Sequence, residues 1–130
     1  MGNNGLERIE SPYSVAETAD RFEEVLAKNK VKLFNKINHS ENISKVDLEL
    51  RETILFIFGA PKVGGLLMQD NQEVAIDLPM KLLIWENEEG QTILTRNVIS
   101  WLEDRHQLTE DEGPAKLEMK VNAMIQETIA

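Results

Sequence analysis

The chain has 130 residues and a mass of 14.8 kDa, with 42% hydrophobic and 28% charged residues, a formal charge of -9 and no cysteine. This reads as one soluble domain able to bury roughly two thirds of its unfolded surface, and no apolar run nears the roughly 20 residues that span a bilayer. The missing thiols exclude disulfides, thiolate zinc sites, iron-sulfur clusters and cysteine nucleophiles, and the acidity opposes nucleic-acid binding, which needs clustered cations against phosphate.

The N-terminus, MGNNGLERIE, lacks the basic and apolar regions of a secretory signal, which points to the cytoplasm. Gly2 follows Met1, but Leu6 stands where myristoylation wants Ser or Thr. Residues 5–10 read as a first strand ended by Ser11-Pro12. Ser14 and Glu17 then make a capping box, and Val15, Ala19, Phe22 and Leu26 form the apolar stripe of a helix reaching about Asn29. Lys28, Lys30, Lys32 and Lys36 read as a solvated edge rather than a ligand patch.

Residues 31–38 alternate as a strand closed by His39, and Ile43, Val46 and Leu50 space a short helix over 40–50 that Ser40 can cap. The run Thr53 to Phe58 (TILFIF) is apolar throughout and is expected at the sheet centre. Gly59-Ala60-Pro61 ends it, and Pro61 opens a helix to about Asn71 that Gly64 and Gly65 weaken by roughly 1 kcal/mol each. After a turn to Val74-Ala75-Ile76, Asp77-Leu78-Pro79 bends the chain into the strand Met80 to Glu86. Asn87 to Gly90 then make a hairpin into the strand Gln91 to Asn97.

A helix is predicted over 98–106, with Ile99, Leu102 and Trp101 facing inward. Past the polar loop Thr109 to Gly113, Pro114 starts a closing helix over about 114–129, striped by Leu117, Val121, Met124, Ile125 and Thr128. With no repeat and no linker, residues 1–130 read as one α+β domain. Its form is a two-layer α/β sandwich, a mostly antiparallel sheet with helices chiefly on one face.

The ordered set Ile37-Asn38-His39, Phe58 to Gly64, Leu67-Met68-Gln69, Asp77 to Lys81, Trp85-Glu86 and Arg105-His106 resembles the bacterial and archaeal family catalogued as domain of unknown function 302, over about 13–108. The resemblance implies a TATA-binding-protein-like two-layer fold and a homodimer, with no established activity and no cofactor. The fold label does not imply DNA binding. The chain departs from the family where Ala60, Gly65 and Leu66 replace the residues of Gly-Asn-Pro and Gly-Thr-Pro. It departs again where Arg96-Asn97-Val98-Ile99 replaces Tyr-Asn-Asp-Pro.

Gly59 and Gly64 bracket four residues after a strand, as in a phosphate loop, but Gly65-Leu66 stands where Lys and Ser or Thr must reach phosphate and magnesium. A structural turn, with a residual anion site, is the better reading. His39 beside Ser40 and Glu41 is the leading titratable candidate, and Asp77 before Pro79 is its partner candidate for proton transfer. His39 and His106 are the candidate metal ligands, although no His-x-x-x-His pattern joins them. Trp85, Trp101 and the methionines fit core or interface packing. No serine lies in a Gly-x-Ser-x-Gly elbow.

The functional expectation is a non-catalytic module binding a small ligand or anion at His39, Gly59, Pro61, Lys62, Gly64 and Asp77. The alternatives are a protein-interaction or homodimerisation domain and a small hydrolase or isomerase using His39 and Asp77. Neither a nucleic acid nor a membrane is an expected partner.

Overall fold

Strands that alternate large apolar side chains can bury one face and leave the other to a partner or to water. The computed structural model of this chain, which describes residues 4–109 and 112–130, shows this alternation in the three interior members of a set of five strands. The five are β1 (Leu6–Ser11), β2 (Lys32–Asn38), β3 (Thr53–Gly59), β4 (Met80–Glu86) and β5 (Thr92–Asn97). They form an antiparallel sheet in the order β1-β5-β4-β3-β2. The helices are α1 (Val15–Lys28), α2 (His39–Ser44), α3 (Pro61–Asp70), α4 (Ile99–His106) and α5 (Glu112–Ile129), with a 3-10 turn at Gln72–Asp77. The chain is thus the α+β antiparallel sheet with helices that its periodicities predict. The Gly2 position and residues 110 and 111 of the Thr109 to Gly113 loop lie outside the described residues.

The buried face carries Ile54, Phe56, Phe58, Met80, Leu82, Ile84 and Leu94 against Val15, Ala19, Phe22 and Leu26 of α1 and Val121, Met124 and Ile125 of α5. Phe22 meets both Phe56 and Phe58 edge-on, each with ring centroids 5.2 Å apart. Ser14 caps α1 by accepting the Glu17 N–H at 3.1 Å. On the opposite face Leu55, Ile57, Leu83, Trp85 and Ile93 are only half-buried. The apolar run of β3 therefore lies in an interior strand covered on one side, and β4 holds the centre.

The helix expected over 40–50 ends at Ser44. Asn38, not Ser40, caps it, accepting the Glu41 N–H at 3.0 Å, and Ser40 Oγ donates to the same oxygen at 2.6 Å. Asp47 at φ 61 and the bond from Leu48 N–H to Ile43 O turn the chain out of the helix. Val46, Leu48 and Leu50 are left 65%, 58% and 44% exposed, so the spacing of 43, 46 and 50 has no surface to pack on. Of the lysine run, Lys28 and Lys36 pair with Glu127 and Glu23, each at 2.5 Å, and β2, which carries Lys32 and Lys36, is an outer strand.

Arg96 is 2% exposed on the helix-covered face of β5. Its Nε donates to Glu7 Oε1 of β1 at 3.0 Å and its Nη1 to Glu118 Oε1 of α5 at 3.0 Å, while Nη2 bonds Glu118 Oε2. Glu118 Oε1 also accepts the Ile99 N–H at 3.2 Å, capping α4 where Val98 offers no side-chain acceptor. The Arg96 hydrogen bond, assisted by the Ile99 N–H and the Arg96 charge, outweighs partial burial and holds the Glu118 carboxyl below the usual carboxylate range. Burial opposes the charge of Arg96, but the Glu118 and Glu7 carboxylates prevail and raise its pKa. At the same end of α4, where Gly5 O accepts the Val98 N–H at 2.7 Å, Gly5 has φ +79, and a Cβ there would lie 2.4 Å from Trp101 Cγ.

Two outcomes follow from these contacts. Glu118→Gln should lower the unfolding free energy by about 1–3 kcal/mol at pH 7, because a hydrogen bond to a charged group is lost beside a buried guanidinium. The depressed carboxyl stabilises the fold above its unfolded pKa of about 4.3, and that contribution disappears as pH falls through the lower folded value. Denaturant titrations across this acid range should therefore show a steeper loss in the parent protein than in the variant. Gly5→Ala should cost at least about 1–2 kcal/mol from left-handed backbone strain alone, read as a lower melting temperature.

Candidate functional site

The β3–α3 turn and the first turn of α3 make one wall of a hollow, lined by Gly59, Ala60, Pro61, Val63 and Gly64. A Cβ on Gly59 would meet Pro79 Cβ at 3.5 Å and Phe34 Cε2 at 3.8 Å, ordinary contact distances, so both groups pack directly over the strand end. A β-bulge between Leu33 and Asn35 makes Phe34 the extra residue of β2, and its ring reaches the hollow. Gly64 keeps α3 thin beside Leu78 and Met68. Leu67, Met80 and Leu117 of α5 complete a cavity of about 300 Å³, and no residue in its lining has a polar side chain. A second hollow of about 670 Å³ adjoins it across Val63, Leu67 and Leu117, but its walls include Gln69, Asp70, Lys116 and Lys120.

Of the residues singled out from the sequence, Gly59, Pro61 and Gly64 line the apolar cavity. Lys62 is exposed beside it and is not part of the lining. His39 lies elsewhere. Lys32 pairs with Gly59 and Asn38 with Ile54, so five residues of β3, roughly 17 Å, separate the turn from the start of α2.

Asp77 is at the Gly59 end, three residues before Met80, which pairs with Phe58. It faces α4 rather than the cavity. Its carboxylate accepts Arg105 Nη1 at 3.1 and 3.2 Å and bonds His106 Nε2 at 2.5 Å, with His106 only 7% exposed. Asn71 Nδ2 donates to His106 O at 2.6 Å, and Thr109 donates N–H and Oγ1 to Asp70, both at 2.8 Å. These bonds clasp the 3-10 turn and the end of α3 onto α4.

The structure thus separates His39 from Asp77 and His39 from His106. A shared proton-transfer site and a two-histidine metal site have no common centre. Among the described residues no three His, Cys, Asp or Glu side chains are grouped to hold a metal ion. The Asp77, Arg105 and His106 clasp escaped sequence reasoning although all three residues stand in the motifs; the signal was two motifs about 28 residues apart, each carrying charge of opposite sign.

The helix start is also a poor anion cradle. Pro61 occupies its first turn without an N–H, and the Val63 and Gly64 N–H groups both donate to Ala60 O, at 3.0 and 3.2 Å. Trp85 spends its indole N–H on Thr95 Oγ1 at 2.9 Å. Met80 and Met124 are core residues, whereas Met119 is 72% exposed.

The model of the family described as "Domain of unknown function DUF302" matches residues 7–128, which takes in β1 and most of α5 beyond the span of the motifs. Two relatives are 38% identical over 106 residues, 82% of this chain. Both are named "Fluoride-specific ion channel FluC 1", from Brucella suis biovar 1 (strain 1330) and Brucella abortus biovar 1 (strain 9-941). The match covers 42% and 39% of their lengths, so the chain spans about two fifths of the curated relatives it matches. The crystal structure of an uncharacterized conserved DUF302 protein from Bacillus stearothermophilus has the same fold, with a TM-score of 0.84 and 18% identity over 96% of this chain and 98% of that one. With the family model spanning nearly all of its length, the chain belongs to the DUF302 family.

Proposed function

We propose that this chain is a non-catalytic binding module that takes a small apolar ligand into the cavity at the Gly59 end of the sheet. The observation that supports the reading is the cavity lining, which has no polar side chain within about 300 Å³. That volume is at the small end of ligand sites, roughly 300–1,000 Å³. A bare anion entering it would lose hydration without gaining side-chain donors, which favours the apolar ligand over the anion. With His39 and Asp77 apart, no pair of titratable groups among the described residues lines this cavity to support a hydrolase or isomerase.

The name of the Brucella relatives concerns ion conduction. We read the segment shared with this chain as a binding part of those longer proteins. No helix among the described residues is long and apolar enough to cross a membrane, and fluoride, a strongly hydrated anion, would meet no side-chain donor in the lining of this cavity.

The half-buried face of the sheet supports a second reading, self-association into a homodimer. Ile37, Leu55, Leu83 and Trp85 share that face by strand alternation, bordered by Arg8 and Glu10 of β1. Both charge signs on one face allow a second copy, turned about a two-fold axis, to satisfy the first.

Gly64→Leu should fill the cavity while relieving a helix-interior glycine, so the variant should fold with unchanged or higher stability and lose its ligand. Gly65→Ala, where a Cβ meets nothing within 4 Å, should bind as the parent does. Native mass spectrometry of protein from its own host, followed by titration with 1-octanol, checks both; a parent protein that carries no ligand and takes up no octanol sinks the reading. For self-association, light scattering should give the mass of two chains for the parent and of one for Leu83→Lys. A parent that stays monomeric at every concentration removes the dimer.

A further inference from the structure

The charges flanking the cavity run against those of the chain as a whole, which has 23 acidic and 14 basic residues. Two carboxylates adjoin lining residues in sequence, and both already have partners: Asp77 with Arg105 and His106, Glu118 with Arg96. The nearby lysines are different. Lys32 pairs with Gly59 across β2 and β3, and its ammonium lies 4.9 Å from the centroid of the Phe34 ring that lines the cavity. Lys62 sits between the lining residues Pro61 and Val63. Lys81 follows the lining residue Met80 and, opposite Ile57, projects from the same sheet face as Gly59. None of the three forms an ion pair among the described residues.

Resting on the apolar-ligand reading, we infer that the ligand is a single-chain amphiphile with an anionic head, its tail in the cavity and its head outside among Lys32, Lys62 and Lys81. A fatty carboxylate has this chemistry. The head keeps most of its hydration at the rim, so the lining need not supply the donors that an engulfed anion would require. Lysine ammoniums on flexible stems suit this arrangement, since each supplies charge without demanding a fixed geometry. The attraction is between partly exposed charges, so each lysine contributes modestly and salt screens it.

Calorimetric titration of the full chain with octanoate, 1-octanol and octylammonium, below micelle-forming concentrations, tests the assignment. Octanoate should bind about three- to thirtyfold more tightly than octanol at low salt, from three exposed cations acting together. The gap should shrink to about twofold or less in 1 M salt and in the Lys32→Gln, Lys62→Gln, Lys81→Gln triple variant, with octanol affinity unchanged in that variant. Methyl-labelled Met68 and Met80 should shift on addition of octanol or octanoate, locating the tail. Equal affinity for octanol and octanoate, a preference for octylammonium, or an octanoate preference that survives the triple substitution overturns the anionic head and leaves the apolar cavity standing. Failure of both octanol and octanoate to bind overturns the underlying reading as well.

Discussion

One-sided burial of the sheet, anchored where Phe22 wedges between Phe56 and Phe58, is the constraint from which the other features follow. A helix layer formed by α1 and α5 covers alternate residues of β3, β4 and β5, and the two-residue period leaves the intervening side chains on the far side. Laying α5 across this layer assigns neighbouring residues to different tasks. Leu117 reaches the cavity, and Glu118, about 100° further round the helix, meets Arg96 and the start of α4. A shift of α5 would therefore disturb the cavity wall and the buried ion cluster together.

A buried arginine is expensive unless its charge and donors are met. Arg96 is tolerated because Glu7 and Glu118 approach it from two elements while keeping partial contact with water. The same carboxylate serves α4, whose first turn lacks a capping side chain at Val98. The buried guanidinium of Arg96 and the start of α4 after Val98 thus meet on one glutamate. Among the described residues no buried side-chain polar atom is left without a partner, so this cluster is fully connected.

The cavity shows how a strand, glycine turn and helix can resemble a phosphate loop in outline and differ in chemistry. Phosphate sites need outward-pointing N–H groups, whereas here Pro61 removes one and Ala60 O takes two others. What the turn borders instead is an apolar hollow, on which Phe34, Pro79 and Leu117 converge. Between the 3-10 turn and α4, Asp77 performs a fastening role: its bonds to Arg105 and His106 hold the segment that carries Ala75 and Leu78 into the cavity wall.

Local periodicity was enough to read the strands, α1, α3, α4 and the closing helix, because each depends on residues within a few positions of one another. Ser14 and Glu17, the Asn87 to Gly90 hairpin and the stripe of α5 are of this kind. The glycine turn was legible too, as was its failure to match a nucleotide loop. Tertiary structure alone decided the rest. Nothing within 40–50 says that Val46, Leu48 and Leu50 meet no packing surface, and the helix ends early for that reason. His39 and Asp77 looked like partners because both adjoin strand ends, but antiparallel pairing sends them to opposite ends of β3. Asp77 finds His106 across 29 positions and Arg96 finds Glu118 across 22, and Phe34 and Leu117 reach one cavity from opposite ends of the chain. Such pairings depend on how the layers stack, which local sequence patterns do not encode.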